Sequence, residues 1–317
     1  MKPSNSKKGS ESNPLLAAAI TRAASRQTYL TIRLFVDRDR TADAFRAYAY
    51  FRWLDDQLDR EKIDQLQRIA FVERQVELMD GCYRGEWPRQ TSAEERMLVD
   101  LIRGDTEENS GLRAYIQNMM AVMVFDANRR GRLIGQEELA GYTRCLAVAV
   151  TEALHYFIGH GSPSPRGEAR YIAVSGAHIT HMLRDTLDDA AAGYFNVQRE
   201  FLETHQSAPQ DVSGEAYRAW VKSRVRLARA CFAAGREALA QVQNLRCRIS
   251  GHAYIARFEA VLDVIEQDDY RLRSEYLQCE SPMIWIKMVW SVLRLALNPR
   301  QPASAPGIVP LKSPEGG

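Results

Sequence analysis

The stretch AYFRWLDDQLD, residues 49–59, places three aspartates in a segment whose other residues are mostly apolar or aromatic. Asp55 and Asp59 are four residues apart, so on a helix they project from one face with Cβ atoms about 6 Å apart. Bulky neighbours such as Tyr50 and Trp53 indicate that much of this helix is buried. The stretch therefore predicts a buried helix with one acidic face.

A second stretch, HMLRDTLDD at residues 181–189, has the same character and places Asp185 four residues before Asp189. Like charges at this spacing cost about 0.2–0.5 kcal/mol on an exposed helix, and more inside a cavity, where a cation is needed. Mg²⁺ binds through one or two carboxylates while it keeps waters and substrate phosphates. Two facing acidic helices therefore indicate a magnesium cluster that binds a diphosphate, although either stretch alone is more often a solvated helix face.

An arginine stands just before each acidic pair, Arg52 in the first stretch and Arg184 in the second. The planar guanidinium group suits phosphate oxygens. The same side chain could equally neutralise a neighbouring aspartate. The sequence leaves both interpretations open.

Composition describes a globular protein with no charge bias. The 317 residues include 42 Lys plus Arg and 40 Asp plus Glu, a net charge of +2, and this balance gives no reason to expect a nucleic-acid partner. The five cysteines are scattered, without zinc-ligand spacing. We expect a cytoplasmic protein, because the polar N-terminus lacks the apolar core of a secretion signal.

Helical periodicity recurs along the chain, while strand signals are nearly absent. This pattern predicts an all-α protein with one helical domain over residues 14–297, a disordered lead-in over 1–13 and a disordered Pro-rich tail over 298–317. The predicted helices lie at 14–36, 41–59, 62–84, 93–103, 111–129, 136–160, 166–191, 213–243, 252–269 and 281–297. Turn chemistry predicts breaks at Gly85–Gln90, Gly104–Ser110 and His160–Gly167.

Beyond its periodicity, the chain resembles the squalene and phytoene synthases. The resemblance begins weakly at SRQTYLTIRLF, residues 25–35, and becomes specific at residues 49–59, with Tyr48 nearby. The stretch GQEELAGYTRCLAVAV, residues 135–150, is similar to a further family segment through Tyr142, and LRDTLDD resembles the second acidic motif. The resemblance implies an isoprenoid-synthase-type helical bundle around a central cavity.

The family joins two prenyl diphosphates head to head, through a cyclopropylcarbinyl diphosphate, to a phytoene-, dehydrosqualene- or squalene-like hydrocarbon. The resemblance implies farnesyl or geranylgeranyl substrates and Mg²⁺, and it leaves open whether NADPH is used. The implied catalytic residues are Arg52 and the four metal-binding residues Asp55, Asp59, Asp185 and Asp189. The implied substrate-binding residues are Arg52, Arg184, His178, His181, Tyr142, Tyr48, Phe51 and Tyr29.

Carbocations need a dry, electron-rich pocket, and aromatic faces stabilise positive charge by roughly 0.5–2 kcal/mol each. The candidates for such a lining are Tyr29, Phe35, Tyr48, Phe51, Phe125 and Tyr142. For each of these residues taken alone, ordinary packing in the helical core is the simpler explanation.

The chain departs from the family pattern at several positions. His178 and His181 stand where the family commonly has Gln and Asn. They either contact a diphosphate oxygen or make a core hydrogen bond. In GYFNVQRE, residues 193–200, the family's arginine after the glycine is missing, and Val148 and Thr151 replace expected glycines. We expect a narrower tunnel and a different substrate size.

These departures keep open a non-catalytic family member that acts as an assembly or binding module. The chemistry of two acidic clusters also keeps open a terpene cyclase or a head-to-tail prenyl synthase. Membrane contact is a third open point. Residues 282–297, PMIWIKMVWSVLRLAL, are too short for a comfortable transmembrane helix. They are expected to pack on the protein, with peripheral membrane contact as the alternative.

Overall fold

The computed structural model describes residues 13–60, 63–162, 164 and 167–276. In these residues the chain forms eleven α-helices and no β-strand, so the predicted all-α class is confirmed. The helices span Pro14–Ala24 (α1), Arg26–Phe35 (α2), Thr41–Leu58 (α3), Gln65–Tyr83 (α4), Ala93–Gly104 (α5), Gly111–Arg129 (α6), Gln136–Phe157 (α7), Ile172–Ala192 (α8), Arg199–His205 (α9), Glu215–Ala240 (α10) and Leu245–Gln267 (α11). Short 3₁₀ turns precede α3 and α8.

The predicted helices differ from the observed ones mainly at three places. The predicted helix 252–269 begins too late, because α11 begins at Leu245 after its cap Asn244. The predicted helix 14–36 is divided at Ser25, whose backbone is extended and whose hydroxyl accepts a hydrogen bond from Thr28 N at 3.1 Å. Ser25 therefore ends α1 and caps α2. The short helix α9 was not predicted. The predicted helix 281–297, the tail and residues 1–12 lie outside the described residues.

Local sequence explains where several helices begin. Asp64 and Gln67 form a reciprocal capping box at the start of α4, and Ser92 and Glu95 do so at the start of α5. Each box satisfies backbone N–H groups that have no partner inside the helix, and the loss of such a cap costs about 1 kcal/mol. Capping therefore fixes the entry points of helices that flank α3.

The buried apolar residues form two large clusters and one small one. The first cluster is built from α1–α6 and the end of α7, and the second from α8, α10 and α11 with residues around α9. The small cluster joins Ile134, Leu139 and Met182, with Phe125 and Tyr142 packed against it. Its residues come from α6, α7, α8 and the α6–α7 connection, so it lies where the two halves meet.

The two acidic stretches belong to different halves. The first lies at the end of α3, in the first cluster, and the second lies near the end of α8, in the second. Helix α6 packs against α3 and α7, and α7 packs against α8. Helix α6 is therefore placed to connect the end of α3 with the end of α8. Whether it does so depends on the side chains at these helix ends.

Helices α8 and α10 approach each other very closely. A Cβ atom added at Gly235 would lie 2.6 Å from the Cβ atom of Ala173, and one added at Gly176 would lie 2.9 Å from the Cβ atom of Cys231. Only glycine fits at such separations. Within the described residues, no helix combines the length and the apolar character that crossing a bilayer requires.

Candidate active site

Asp55 lies one turn before the end of α3, and Asp59 directly follows this helix. Arg52 Nη1 donates to Asp55 Oδ2 at 3.2 Å, and the same guanidinium group donates to Asp56. Burial and the charges of Asp59 and Asp126 nevertheless raise the pKa of Asp55 to about 7. The end of α3 thus carries more negative charge than its arginine neutralises.

Asp126, on α6, was not singled out from the sequence. Its Oδ1 accepts from Arg129 Nε at 2.6 Å and its Oδ2 accepts from the Tyr142 hydroxyl at 3.0 Å. Burial raises the pKa of Asp126, and Arg129 acts against this increase. Because the charge of Asp126 raises the pKa of Asp55, α6 contributes a further carboxyl group beside the first acidic pair.

The second acidic stretch is connected to the same arginine through Asn196. Arg129 Nη1 donates to Asn196 Oδ1 at 3.0 Å, and Asn196 Nδ2 donates to Asp189 Oδ2 at 2.6 Å. Burial raises the pKa of Asp189, the Asn196 hydrogen bond lowers it, and the charge of Asp185 raises it again. The Asp126–Arg129 pair on α6 thus lies at an acidic centre between the two acidic stretches: Asp126 is near Asp55 and Asp59, and Arg129 reaches Asp189 through Asn196.

Asp185 has a different environment. Arg184 donates to both of its carboxylate oxygens, at 2.6 and 2.8 Å, and His181 Nε2 lies 2.7 Å from Oδ2. Burial acts to raise the pKa of Asp185, but these hydrogen bonds and charges hold it well below its usual value. Asp185 is therefore ionised and paired. Both Arg52 and Arg184 bind aspartates of their own helices.

The two histidines predicted to bind substrate lie in unlike places. His181 is half exposed and contacts Asp185. His178 is buried, its Nδ1 lies 3.0 Å from Thr143 Oγ1, and its ring meets the Tyr142 ring edge-on. Burial lowers the pKa of His178 to about 3, so its imidazole is neutral. His178 has the environment of a core histidine.

The predicted aromatic lining is divided between two regions. Tyr142 stacks on Phe125 with ring centroids 4.7 Å apart, next to the Asp126–Arg129 pair. Tyr29 packs against Phe45, and Phe51 packs edge-on against Tyr115 in the first cluster. Phe35 is partly buried against that cluster, and Tyr48 lies near enough to Arg52 to affect its pKa. Tyr142 and Phe125 are thus the aromatic candidates beside Asp126.

This centre offers carboxylate ligands to a metal ion but does not form a complete coordination site by itself. In the part of the chain that the structure describes, no three Asp, Glu, His or Cys side chains are grouped so that they could hold a metal ion. Mg²⁺ does not require such a cage, because it binds through one or two carboxylates and keeps waters and phosphates as further ligands. Burial and neighbouring negative charges raise the pKa of Asp55, so a cation beside this carboxyl group would be favourable. Asp55, Asp59 and Asp189 therefore fit Mg²⁺.

A model of the family described as squalene/phytoene synthase matches residues 21–282 of the sequence. The chain belongs to this family. Among curated proteins, none matches the sequence. The fold of this family member is similar to that of squalene synthase HpnC from Alicyclobacillus acidocaldarius, with a TM-score of 0.63 and 20% sequence identity over 82% of this chain and 95% of that chain.

Squalene/phytoene synthase family members are prenyltransferases that act on prenyl diphosphates and generally use a divalent metal to bind them. In this family member, the residues that sequence reasoning missed are Asp126, Arg129 and Asn196. One signal was present: Asp126 interrupts the apolar run MMAVMVF and is followed three residues later by an arginine. No sequence signal connects that pair with Asn196, which lies 67 residues after Arg129.

One cavity of this family member lies away from the carboxylates. It encloses about 90 Å³ between α7, α8, α10 and α11, and Thr151, Val174 and Ala238 are among its lining residues. Val174 and Asp185 are eleven residues apart on α8, which corresponds to about 16 Å of helix. The acidic centre and the cavity thus lie at different levels of the same helices.

Proposed function

We propose that the protein condenses two prenyl diphosphates, farnesyl or geranylgeranyl, head to head to a phytoene-, dehydrosqualene- or squalene-like hydrocarbon. The observation that carries the proposal is the hydrogen-bonded chain from Asp126 through Arg129 and Asn196 to Asp189. It connects the carboxyl groups of two helices that are far apart in sequence. Family membership supports the general activity.

In this proposal, Asp55, Asp59, Asp185 and Asp189 hold Mg²⁺. A metal ion held there would supply positive charge against the departing diphosphate. Arg52 can turn from its aspartates to donate to phosphate oxygens, and Arg184 can do the same. Because guanidinium groups form strong paired hydrogen bonds with phosphate, the ion pairs of the ligand-free protein are replaced rather than lost.

The chemistry begins when the C–O bond of one allylic diphosphate breaks and the diphosphate leaves with the electron pair. The double bond of the second substrate donates its electrons to the allylic cation, and loss of a proton closes a cyclopropane ring that still carries a diphosphate. A second ionisation then rearranges this intermediate. The faces of Tyr142 and Phe125 are suited to stabilise the cations, since both rings lie beside the acidic centre.

Proton loss or hydride from NADPH would quench the final cation to a hydrocarbon, whereas water would give an alcohol. Among the substrate-binding histidines, the proposal favours His181, because it contacts Asp185 and is half exposed. For the prenyl chains, the apolar cavity between α7, α8, α10 and α11 is suitably placed, about 16 Å along α8 from Asp185. Its Thr151, where a glycine was expected, supports a restricted chain length.

The experiment is an incubation of the purified protein with Mg²⁺ and radiolabelled farnesyl or geranylgeranyl diphosphate, with and without NADPH. A linear head-to-head hydrocarbon supports the proposal. A cyclic product would instead identify a terpene cyclase, and binding without turnover would identify a binding module.

A matched pair of variants tests the site. Asp189→Asn should reduce turnover by at least about a hundredfold, because Asp189 is a proposed metal ligand. Its neighbour Asp188 is exposed, so Asp188→Asn should retain wild-type turnover. Equal rates for the two variants would remove the metal-binding assignment. Circular dichroism checks that both remain helical.

A further inference from the structure

The turn that follows α6 is bonded to the turn that follows α8. Gly131 N donates to Gly193 O at 2.7 Å, and Arg130 Nε donates to Ala192 O at 3.0 Å. Gly193 ends α8 with a φ of 87°, in the left-handed region that favours glycine. The two turns therefore fix the backbone next to both acidic stretches.

Within this connection, the guanidinium group of Arg130 is fixed by a hydrogen bond but is not paired with a carboxylate. Its Nε is bonded to a carbonyl, and the group lies 5.9 Å from the centre of the Tyr194 ring. Among the described residues, no carboxylate accepts from its Nη1 or Nη2. The neighbouring Arg129, in contrast, donates to Asp126 and Asn196. Arg130 thus presents two donor nitrogens that its own contacts leave available.

The guanidinium group of Arg130 lies close enough to the acidic centre for its charge to act there. Burial raises the pKa of Asp59 and that of the Tyr194 hydroxyl, and the positive charge of Arg130 is among the charges that act against both increases. The guanidinium group therefore lies near the end of α3 while it is bonded to the end of α8. It stands beside carboxylates that have been proposed to hold Mg²⁺.

The segment after α8 contributes no comparable group. In residues 193–200 the first arginine is Arg199, whose guanidinium group pairs with Glu200 and Glu203. Arg129 is 9% exposed and forms a buried ion pair with Asp126. Arg130 thus combines, at this end of α8, a charge near the centre with terminal donors that its own contacts leave available.

We propose that Arg130 binds the diphosphate group of the substrate, with its Nη groups donating to phosphate oxygens beside Asp59 while its Nε remains on Ala192 O. This inference rests on the proposed function. The fixed Nε lowers the entropy that is lost on binding, because the side chain is already oriented. Two charge-assisted hydrogen bonds to a phosphate are among the stronger interactions available to a side chain.

The test is isothermal titration of the full chain with inorganic pyrophosphate in the presence of Mg²⁺. Arg130→Gln should weaken binding by about tenfold or more, since a hydrogen bond to a charged group is lost. The control is Arg132→Gln. Arg132 lies two residues away, and its Nη1 is paired with Glu138 at 2.6 Å, so this variant should bind within about twofold of wild type.

A second variant separates binding from folding, because Arg130→Gln also removes the bond to Ala192 O. Arg130→Lys removes that bond too but keeps the charge, so it should bind pyrophosphate more tightly than Arg130→Gln while melting at a similar temperature. Equal affinities of Arg130→Gln and wild type would overturn the inference. So would equal losses in the Gln and Lys variants, which would assign Arg130 a structural role alone.

Failure of the inference differs from failure of the proposed function. If wild type neither binds pyrophosphate nor converts prenyl diphosphates, both are wrong. If wild type does both and Arg130→Gln is unchanged, only the role of Arg130 is wrong. In the turnover assay, the inference further predicts a higher KM for the prenyl diphosphate in Arg130→Gln than in Arg132→Gln.

Discussion

Asp126 on α6 and Asp189 on α8 stand at the two ends of one hydrogen-bonded chain, which runs through Arg129 and Asn196. The chain crosses from the first half of the bundle to the second. Arg129 is its centre, because the same guanidinium group binds both sides. The distance between the two acidic helices therefore depends on a buried arginine that is not part of either acidic stretch.

Removing this arginine should destabilise the protein. In Arg129→Met, the carboxyl group of Asp126 loses its charged partner in a site where Arg129 itself is 9% exposed. Breaking a buried ion pair from one side costs about 3 kcal/mol or more. Urea denaturation measures the difference in unfolding free energy. The exposed pair of Arg132 and Glu138 provides the comparison: Arg132→Gln should cost less than about 1 kcal/mol. If both variants lose the same unfolding free energy, the buried Arg129–Asp126 pair contributes no more to stability than an exposed pair.

The metal-free protein should lose stability as the pH rises. Burial and the charge of Asp59 raise the pKa of Asp55 to about 7, above the ordinary 3.8. A carboxyl group with a raised folded-state pKa stabilises the fold fully below its unfolded pKa, and this contribution is lost as the pH rises through 7. Because 38% of the Asp55 side chain is exposed, screening reduces the contribution to the order of 1 kcal/mol.

The measurement compares melting temperatures at about pH 5.5 and about pH 8 in the presence of a chelator. In Asp55→Asn, the decrease in melting temperature between the two pH values should be smaller than in wild type by roughly 2–4 °C. Asp188, which is exposed on α8, gives the control, since Asp188→Asn should leave the pH dependence close to that of wild type. If Asp55→Asn melts with the pH dependence of wild type, the raised pKa has no influence on stability.

Turnover should depend on Mg²⁺, and Ca²⁺ should be a poor substitute. Mg²⁺ imposes near-octahedral geometry, whereas Ca²⁺ accepts six to eight ligands at longer distances and would misplace the leaving group. Initial rates with each ion at saturating concentration test this expectation. Equal rates would contradict a role for precise coordination at Asp55 and Asp189.

Filling the cavity should shorten the preferred substrate. Ala238 lines the cavity from α10, so Ala238→Leu should raise the KM for geranylgeranyl diphosphate more than that for farnesyl diphosphate. Ala233 is exposed on the same helix, and Ala233→Leu should leave the KM ratio unchanged. If the KM ratio changes similarly in both variants, or in neither, the cavity does not bind the prenyl chain.

The close contact of α8 and α10 predicts a contrast between two glycines. A Cβ atom in Gly235→Ala would meet the Cα and Cβ atoms of Ala173 at 2.9 and 2.6 Å, and such overpacking costs about 1–3 kcal/mol. Gly141 lies inside α7 with no such neighbour within 4 Å, so Gly141→Ala should stabilise the protein by about 0.5–1 kcal/mol. The melting temperature should therefore fall in Gly235→Ala and rise in Gly141→Ala.

Much of the fold could be predicted because helical periodicity is a local property. The breaks at Gly85–Gln90 and Gly104–Ser110 were found because glycine and proline mark turns. The break at Ser25 was missed since apolar periodicity continues on both sides of it. There the cap that Ser25 offers to Thr28 N is the local cause. Helix α9 is one short segment of seven residues, too short for a clear period.

The site was predictable only in part, for a similar reason. Acidic pairs at i and i+4 are visible in the sequence. The structure places Asp126 near Asp55, and it connects Arg129, the partner of Asp126, to Asp189 through Asn196. This connection could not be inferred, because Arg129 reaches Asn196 only through tertiary structure. Nor could the sequence decide what Arg184 binds. The structure shows a bidentate contact with Asp185. The catalytic roles of these residues stay predictions until the variants are measured.

The bond between Gly131 and Gly193 restricts how this protein can be recombined with its relatives. One residue inserted after α6 would break that bond and move Arg130 away from Ala192 O, and an insertion after α8 would do the same from the other side. Neither turn can therefore change length independently. A chimera that exchanges the second acidic motif must therefore carry both turns from a single parent. Otherwise the ends of α6 and α8 will not be bonded to each other.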